Sequence, residues 1–202
     1  MAEGIITDIA ALEAIYGEPA KASLTKVAHH LTPLYLKWIM ASRFCIVSTV
    51  GSGGTDGSPR GDDGPVVRAI DAQTLLMPDW RGNNRIDTLR NIVEDGRISL
   101  MFMVPGSDNA LRVNGRAVVS VAPRHLDLFD DKGRRPRSVI VITVAEVYSQ
   151  CARAIMRAGL WAGVDESADL PSVGQMLSEQ DAGFDGASYD DAWLDRAKAT
   201  MW

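Results

Sequence analysis

From Asp8 to Tyr16, and again from about Ala20 to Ala41, apolar residues recur every three to four positions, as Leu24, Val27, Leu31, Leu34 and Trp38 do. This predicts two helical segments, with Pro33 kinking or dividing the second. Beyond Ala41 the texture changes to six short β-rich runs: "RFCIVSTV" (43–50), "PVVRAI" (65–70), "TLLMP" (74–78), "RISLMFMV" (97–104), "ALRVNGRAVVSV" (110–121) and "SVIVITVAEVY" (138–148). Gly, Asp and Pro turns join them, and "GSGGTDG" reads as the tip of a hairpin leading to a strand that begins near Ser58. A short helix over 84–94 and another near 123–131 interrupt the series, and a helical block over 149–161 follows the last run directly. The remainder, to Trp202, keeps Leu170, Met176, Leu177, Phe184, Trp193 and Leu194, which predicts one or two amphipathic helices rather than complete disorder. Strands in this number, with so few helices among them, fit a small antiparallel barrel better than alternating βαβ units.

Length and composition narrow the picture. With 202 residues and a hydrophobic fraction of 46%, the chain can build one main domain plus extensions. The expected organisation is a helical extension over 1–41, a barrel domain with its closing helix over 42–161, and an acidic helical extension over 162–202 packed on the domain. No apolar run approaches the roughly 18 residues of a membrane span, and the opening stretch lacks the basic region of a secretory signal. The expectation is a cytoplasmic protein with no membrane contact. Cys45 and Cys151 have no CxxC spacing, so two reduced thiols are expected.

The net charge of −5 is unevenly spread. Nine acidic residues lie between 162 and 195 with no Lys or Arg among them; elsewhere 21 basic residues face the other 17 of the 26 acids. A mildly basic body suits a small anionic ligand and lacks the footprint of a nucleic-acid binder.

The stretch "MPDWRGNNRIDTLRNI" (77–92) places Arg81, Arg85 and Arg90 around a predicted helix start, with Asn83 or Asn84 as N-cap and Ile86, Leu89 and Ile92 or Val93 as the apolar face. Free N–H groups, a dipole end and flanking guanidinium groups suit a phosphate. The competing reading is a solvated face paired with Asp79, Asp87 or Glu94. In "GSPRGDDGP" (57–65), Arg60, Gly61 and Asp62 offer a cation and approachable backbone, or else a solvated hairpin. "KGRRPR" (132–137) could neutralise phosphates, but without aromatic interleaving it reads better as a solvated turn leading into the next strand. No phosphate loop, GxSxG elbow or metal-ligand spacing is present, and adjacent His29 and His30 cannot face one ion. No catalytic residue is assignable, so redox chemistry would require a cofactor.

The order "RFCIVSTVGSGGTDGSPRGD", "TLLMPDWRGNNRIDTLRNI", "RISLMFMVPGSDNALRVNGRA" resembles the pyridoxamine 5′-phosphate oxidase-like flavoproteins, in particular their subgroup of FMN-dependent enzymes, over about residues 10–161. The resemblance implies a mainly β fold with flanking helices, the antiparallel FMN-binding split β-barrel, assembled as a homodimer with FMN at the subunit interface. It places Arg60, Gly61 and Asp62 beside the flavin, Pro78 and Asp79 at the next strand end touching it, and Asn84 with Arg85 at the phosphate-binding pair. Asn84 stands where a basic residue is usual, which shifts charge to Arg81 or Arg90. Arg112 flanks the flavin pocket or forms a structural salt bridge, and Trp161 covers the flavin of the facing subunit or packs as a core or interface aromatic. The function implied is an FMN-dependent oxidoreductase acting on an unidentified small molecule; the alternative is a non-catalytic flavin carrier or sensor.

Overall fold

The helical preface breaks into three pieces. In this computed structural model, which describes residues 4–130 and 133–201, the Asp8 side chain caps α1 (Ile9–Tyr16) by accepting from the Ala11 N–H, and Gly17 ends it at φ 67°. After the short α2 (Lys21–Thr25) the chain extends, so that Ala28 bridges to Val147. Thr32 then caps α3 (Pro33–Ile39), where Pro33 occupies the first turn and loses nothing by lacking an N–H. Of the two outcomes open to Pro33, division is the one found.

Seven strands follow: β1 (Phe44–Gly51), β2 (Gly54–Gly61), β3 (Arg68–Ala69), β4 (Thr74–Asp79), β5 (Arg97–Met103), β6 (Ala110–Ser120) and β7 (Ser138–Gln150). They form one antiparallel sheet in the order β2-β1-β5-β6-β7-β4-β3. β1 turns into β2 through Ser52 and Gly53, a tighter hairpin than the glycine-rich stretch predicts: β2 starts at Gly54 and not near Ser58, because Thr55, Asp56 and Gly57 already pair with β1. The run over 65–70 pairs only through Arg68 and Ala69, because Val66 and Val67 are buried in the core and the Val66 N–H bonds Ser42 instead of a ladder partner. Between Asn114 and Gly115 the β6–β7 register shifts, and a Cβ on Gly115 would stand 2.1 Å from the Thr143 carbonyl oxygen.

Between β4 and β5 lies α4 (Asp87–Glu94), clamped along the β1–β2 hairpin by three side chains at intervals of three residues. Thr88 donates to Asp56 at 2.5 Å, Asn91 donates to Thr49 at 3.1 Å, and Glu94 accepts from the Ser52 N–H at 2.8 Å and its hydroxyl at 2.9 Å. Gly51 makes the clamp feasible, since a Cβ there would lie 2.3 Å from Asn91 and 2.8 Å from Glu94. Ile92 is buried beneath the helix whereas Ile86 and Val93 are exposed, so the apolar face is narrower than the sequence suggests.

Inward residues of the sheet, among them Val47, Leu100, Phe102, Val113, Ile140 and Ile142, make the main core. β4 is buried on both faces: Leu75 and Met77 enter that core, and Leu76 joins Leu126, Phe129 and Val139 in a second cluster. Leu126 and Phe129 come from α5 (Pro123–Leu126) and the 3-10 turn Asp127–Phe129. The predicted helix end at Asp131 and Lys132 of the basic loop lie outside the described residues.

β7 continues to Gln150 because Ala110 pairs with it, which delays the closing helix α6 (Arg153–Ala158). The acidic region forms three short helices: α7 (Val173–Gln180), α8 (Gly186–Asp191) and α9 (Trp193–Thr200). Ser172 and Gln175 form a capping box on α7, and the Asp190 carboxylate accepts from the Gly174 N–H at 2.8 Å. No helix among the described residues is long and apolar enough to cross a membrane.

Candidate functional site

β2 and β4 are not neighbours in the sheet, yet their ends meet across the split. Arg60 stands opposite Cys45, a fully buried β1 position, so its side chain is directed inward; Asp79 follows two residues after the core residue Met77. The Arg60 Nη1 reaches the Asp79 Oδ1 at 3.1 Å, with the two side chains only 25% and 15% exposed. One residue further on, the Trp80 Nε1 donates to the Asp62 Oδ2 at 2.9 Å. These side-chain bonds bridge a gap that no backbone ladder closes.

The bridge sits where carboxylates are uncomfortable. Burial pushes the Asp79 carboxyl above its ordinary value, outweighing the nearby Arg60. Burial also raises Asp62, against the opposing bond from Trp80. Both Asp62 oxygens are engaged, one by Trp80 and one by the Asp63 N–H at 2.8 Å, so this carboxylate anchors the indole. The Arg60 Nε is buried and has no hydrogen-bond partner, a donor left over inside the seam.

A cavity opens on either side of this bridge, and the two share Arg60 and Trp80. One, of about 480 Å³, has apolar walls from Val66, Met77, Pro78 and Trp80, with Gly61, Asp62 and Arg81 at its rim and Met201 arriving from the C-terminal end. The other, of about 400 Å³, is polar and gathers Arg60, Arg85 and Arg137 with Asp56, Asp79 and Asp87. Both volumes fall in the range of small-molecule sites, roughly 300 to 1,000 Å³.

The loop before α4 departs from expectation. Neither Asn83 nor Asn84 caps the helix: the Asn83 Oδ1 accepts from the Arg85 N–H at 3.1 Å, closing an Asx turn. Asn84 and Ile86 adopt left-handed backbone, at φ 63° and 54°, which postpones the helix to Asp87. Asparagine tolerates that conformation and isoleucine rarely does. Ile86 brings no acceptor, so no side chain caps α4, and its first turn, with Asp87, Thr88 and Leu89, borders the polar cavity. Arg85 is 76% exposed and held by Asp87 at 2.8 Å.

Seven of the residues singled out in the sequence therefore converge: Arg60, Gly61, Asp62, Pro78, Asp79, Asn84 and Arg85 line one cavity or the other. Arg112 and Trp161 do not join them within one protomer. Arg112 lies on β6 opposite Tyr148, its guanidinium 5.4 Å from the ring centroid, and Trp161 donates to the Ser107 carbonyl at 2.8 Å. Arg81 borders the apolar cavity, and Arg90 lines neither. Two contributors, Trp80 and Met201, carry no signal in the sequence, and a third, Arg137, lies in the basic loop whose phosphate-neutralising reading ranks below a solvated turn. The residue next to Arg137 begins β7 and pairs with Asp79, which brings that end of the basic loop to the cavity.

A family model for pyridoxamine 5′-phosphate oxidase matches residues 31–151, a span that contains the whole sheet. The chain belongs to the pyridoxamine 5′-phosphate oxidase family. Its seven-stranded antiparallel sheet with flanking helices is the mainly β, split-barrel architecture expected of that family. Among solved structures it is similar to HupZ of Group A Streptococcus, at 18% identity and a TM-score of 0.50, over 59% of this chain and 99% of that one. An FMN-binding protein from Syntrophomonas wolfei aligns at 11% identity and a TM-score of 0.44, over 71% and 97% of the two chains. General stress protein 26 from Bacillus anthracis aligns at 15% and 0.43, over 56% and 88%. The HupZ likeness bears on the fold alone. No curated protein matches the sequence.

Proposed function

We propose that this member of the pyridoxamine 5′-phosphate oxidase family is an FMN-dependent oxidoreductase acting on a small molecule. The observation that carries the reading is the pair of joined cavities: a polar one with three arginines and an uncapped helix start, and an apolar one with an indole wall. A phosphorylated ribityl chain suits the first and a flat aromatic ring suits the second. The residues present fit that group, because the buried, unpartnered Arg60 Nε is a donor that the protein itself does not satisfy.

In this reading Arg60, Asn84, Arg85 and the first turn of α4 hold the phosphate end. Gly61, Asp62, Pro78 and Asp79 border the ring, and the Asp62–Trp80 bond fixes the indole wall. The flavin supplies the redox chemistry; the chain binds it, orients it and shields one side from water. Assembly as a homodimer with FMN at the interface is part of the proposal. It gives a role to Arg112 and Trp161 on a facing subunit and a cover for Ile9, Leu12, Ile15, Met156 and Leu160, all exposed in one protomer.

The test is an absorption spectrum of the purified protein, with and without added FMN, followed by anaerobic mixing with NADH or NADPH. Flavin bands that bleach on mixing are expected. Failure to take up FMN would overturn the reading, and bound flavin that no donor reduces would point to a carrier. Sedimentation that finds only monomer would contradict the interfacial site.

A further inference from the structure

The polar cavity is almost neutral. Of its three arginines, Arg60 is paired with Asp79 at 3.1 Å and Arg85 with Asp87 at 2.8 Å. A ligand anion approaching either must compete with a carboxylate already in place. Arg137 differs: among the described residues it forms no ion pair, and its one side-chain hydrogen bond is from Nη1 to the neutral Asn84 Oδ1, at 2.8 Å. A guanidinium carries five N–H donors in a planar fork, so most of its donor capacity is not committed within the protein.

Arg137 is also well anchored for an exposed side chain. Its backbone N–H donates to the Asp79 carbonyl at 3.3 Å, and the next residue, Ser138, pairs with Asp79 in the β4–β7 ladder. The stem therefore rises from a fixed strand end, and Asn84, in its left-handed conformation, holds one edge of the fork over the cavity. The positive charge reaches the seam, since it helps to lower Asp79 against the effect of burial.

We propose that Arg137 is the principal anion ligand of the polar cavity, taking a phosphomonoester dianion with Asn84 as its positioning residue and Arg85 as a secondary contact. The identification of that dianion with the phosphate of FMN rests on the function proposed above. The charge that Asn84 does not supply thus comes from the start of β7. Arg81 and Arg90, the substitutes nearest in sequence, do not line this cavity.

The experiment compares FMN with riboflavin, which lacks the phosphate, by fluorescence titration of the full chain. Arg137→Ala is expected to weaken FMN by roughly tenfold to a hundredfold, the range of one lost charged hydrogen bond, and to leave riboflavin unchanged. Arg85→Ala is expected to cost less, and Arg137→Lys to recover part of the loss. Asn84→Gly, which accepts the left-handed backbone, is expected to lower FMN affinity while leaving riboflavin affinity unmoved. Unaltered preference for FMN over riboflavin in Arg137→Ala, or a greater loss in Arg85→Ala, would overturn the proposal while leaving the flavin reading standing. If Arg137→Ala does not fold, Arg137→Gln, which keeps part of the stem and removes the charge, is judged by the same ratio. If the unaltered protein takes up neither flavin, the flavin reading fails and inorganic phosphate becomes the probe. Line broadening of its phosphorus resonance that disappears in Arg137→Ala supports the anion site; no broadening, or broadening that persists in the variant, overturns it.

Discussion

Replacing Thr88 by valine probes how the helix that carries the polar cavity is held. The side chain is 4% exposed and its hydroxyl donates to Asp56 at 2.5 Å, linking α4 to β2. Valine keeps the volume and removes the donor, so Asp56 loses its partner in a half-buried setting. A hydrogen bond to a charged group is worth about 1.5 to 3 kcal/mol. At about 2 to 4 °C per kcal/mol for a chain of this size, the melting temperature should fall by roughly 3 to 12 °C. The assay is calorimetry on Thr88→Val, Asp56→Ala and the double variant, all in one buffer. A coupling energy above about 1 kcal/mol is expected, since the two residues touch. Additivity to within about 0.5 kcal/mol would refute the bond, and with it the claim that α4 is tied at its first turn. Because Thr88 is followed along the helix by Asn91 and Glu94, which bond Thr49 and Ser52, loss of the first tie should loosen the start of α4 and leave its end clamped. Flavin affinity should then fall with stability.

Other outcomes follow from burial. The folded protein holds the Asp62 carboxyl above its ordinary value of 3.8, so it binds that proton more readily than the unfolded chain does, and stability falls as pH rises through the interval between the two values. Asp62→Asn keeps an oxygen for Trp80, loses the acceptor of the Asp63 N–H and does not titrate, so its melting temperature relative to the parent should improve as pH rises from 3.8 to 7; a pH-independent difference would contradict this. Burial pushes the Cys45 thiol up to about 12, whereas Cys151 is exposed, so a thiol reagent at pH 8 should modify one cysteine per native chain and two in denaturant. Gly115→Ala drives a methyl into the Thr143 carbonyl and should lower the urea midpoint by at least the equivalent of about 1 to 3 kcal/mol, with an unchanged midpoint refuting the close approach.

The strands were legible because alternation and turn residues are local signals: β1, β4, β5, β6 and β7 lie within about three residues of their runs. The run with Val66 and Val67 misled because hydrophobicity states that a residue is buried, not that its backbone joins a ladder. The start of α4 was misplaced for another local reason. An asparagine before an apolar period reads as a cap, and nothing in the sequence announces that Ile86 will accept left-handed backbone. At the site, residues within one motif, such as Arg60 to Asp62 and Pro78 to Arg85, were found together. Arg137 was not, because its nearness to Asn84 is created by a pairing between β4 and β7 across some sixty residues of chain. Arg112 and Trp161 line neither cavity of one protomer, and only the homodimer proposed above would bring them to the flavin.

β2 bears Asp56, Ser58 and Arg60 on its inner side, has no buried residue, and contains no aliphatic side chain larger than that of proline. It lies at the free edge of the sheet, with Pro59 where an exposed amide would otherwise invite another strand. The strand adds little to the hydrophobic core and, in the function proposed above, much to recognition, a division of labour that leaves most of its side chains outside the packing of the barrel. Divergence among relatives with new ligand preferences should concentrate there, and a library that randomises Thr55, Gly57 and Ser58, keeping Asp56 for its bond to Thr88 and Pro59 for the edge, would explore new chemistry at little risk to the barrel.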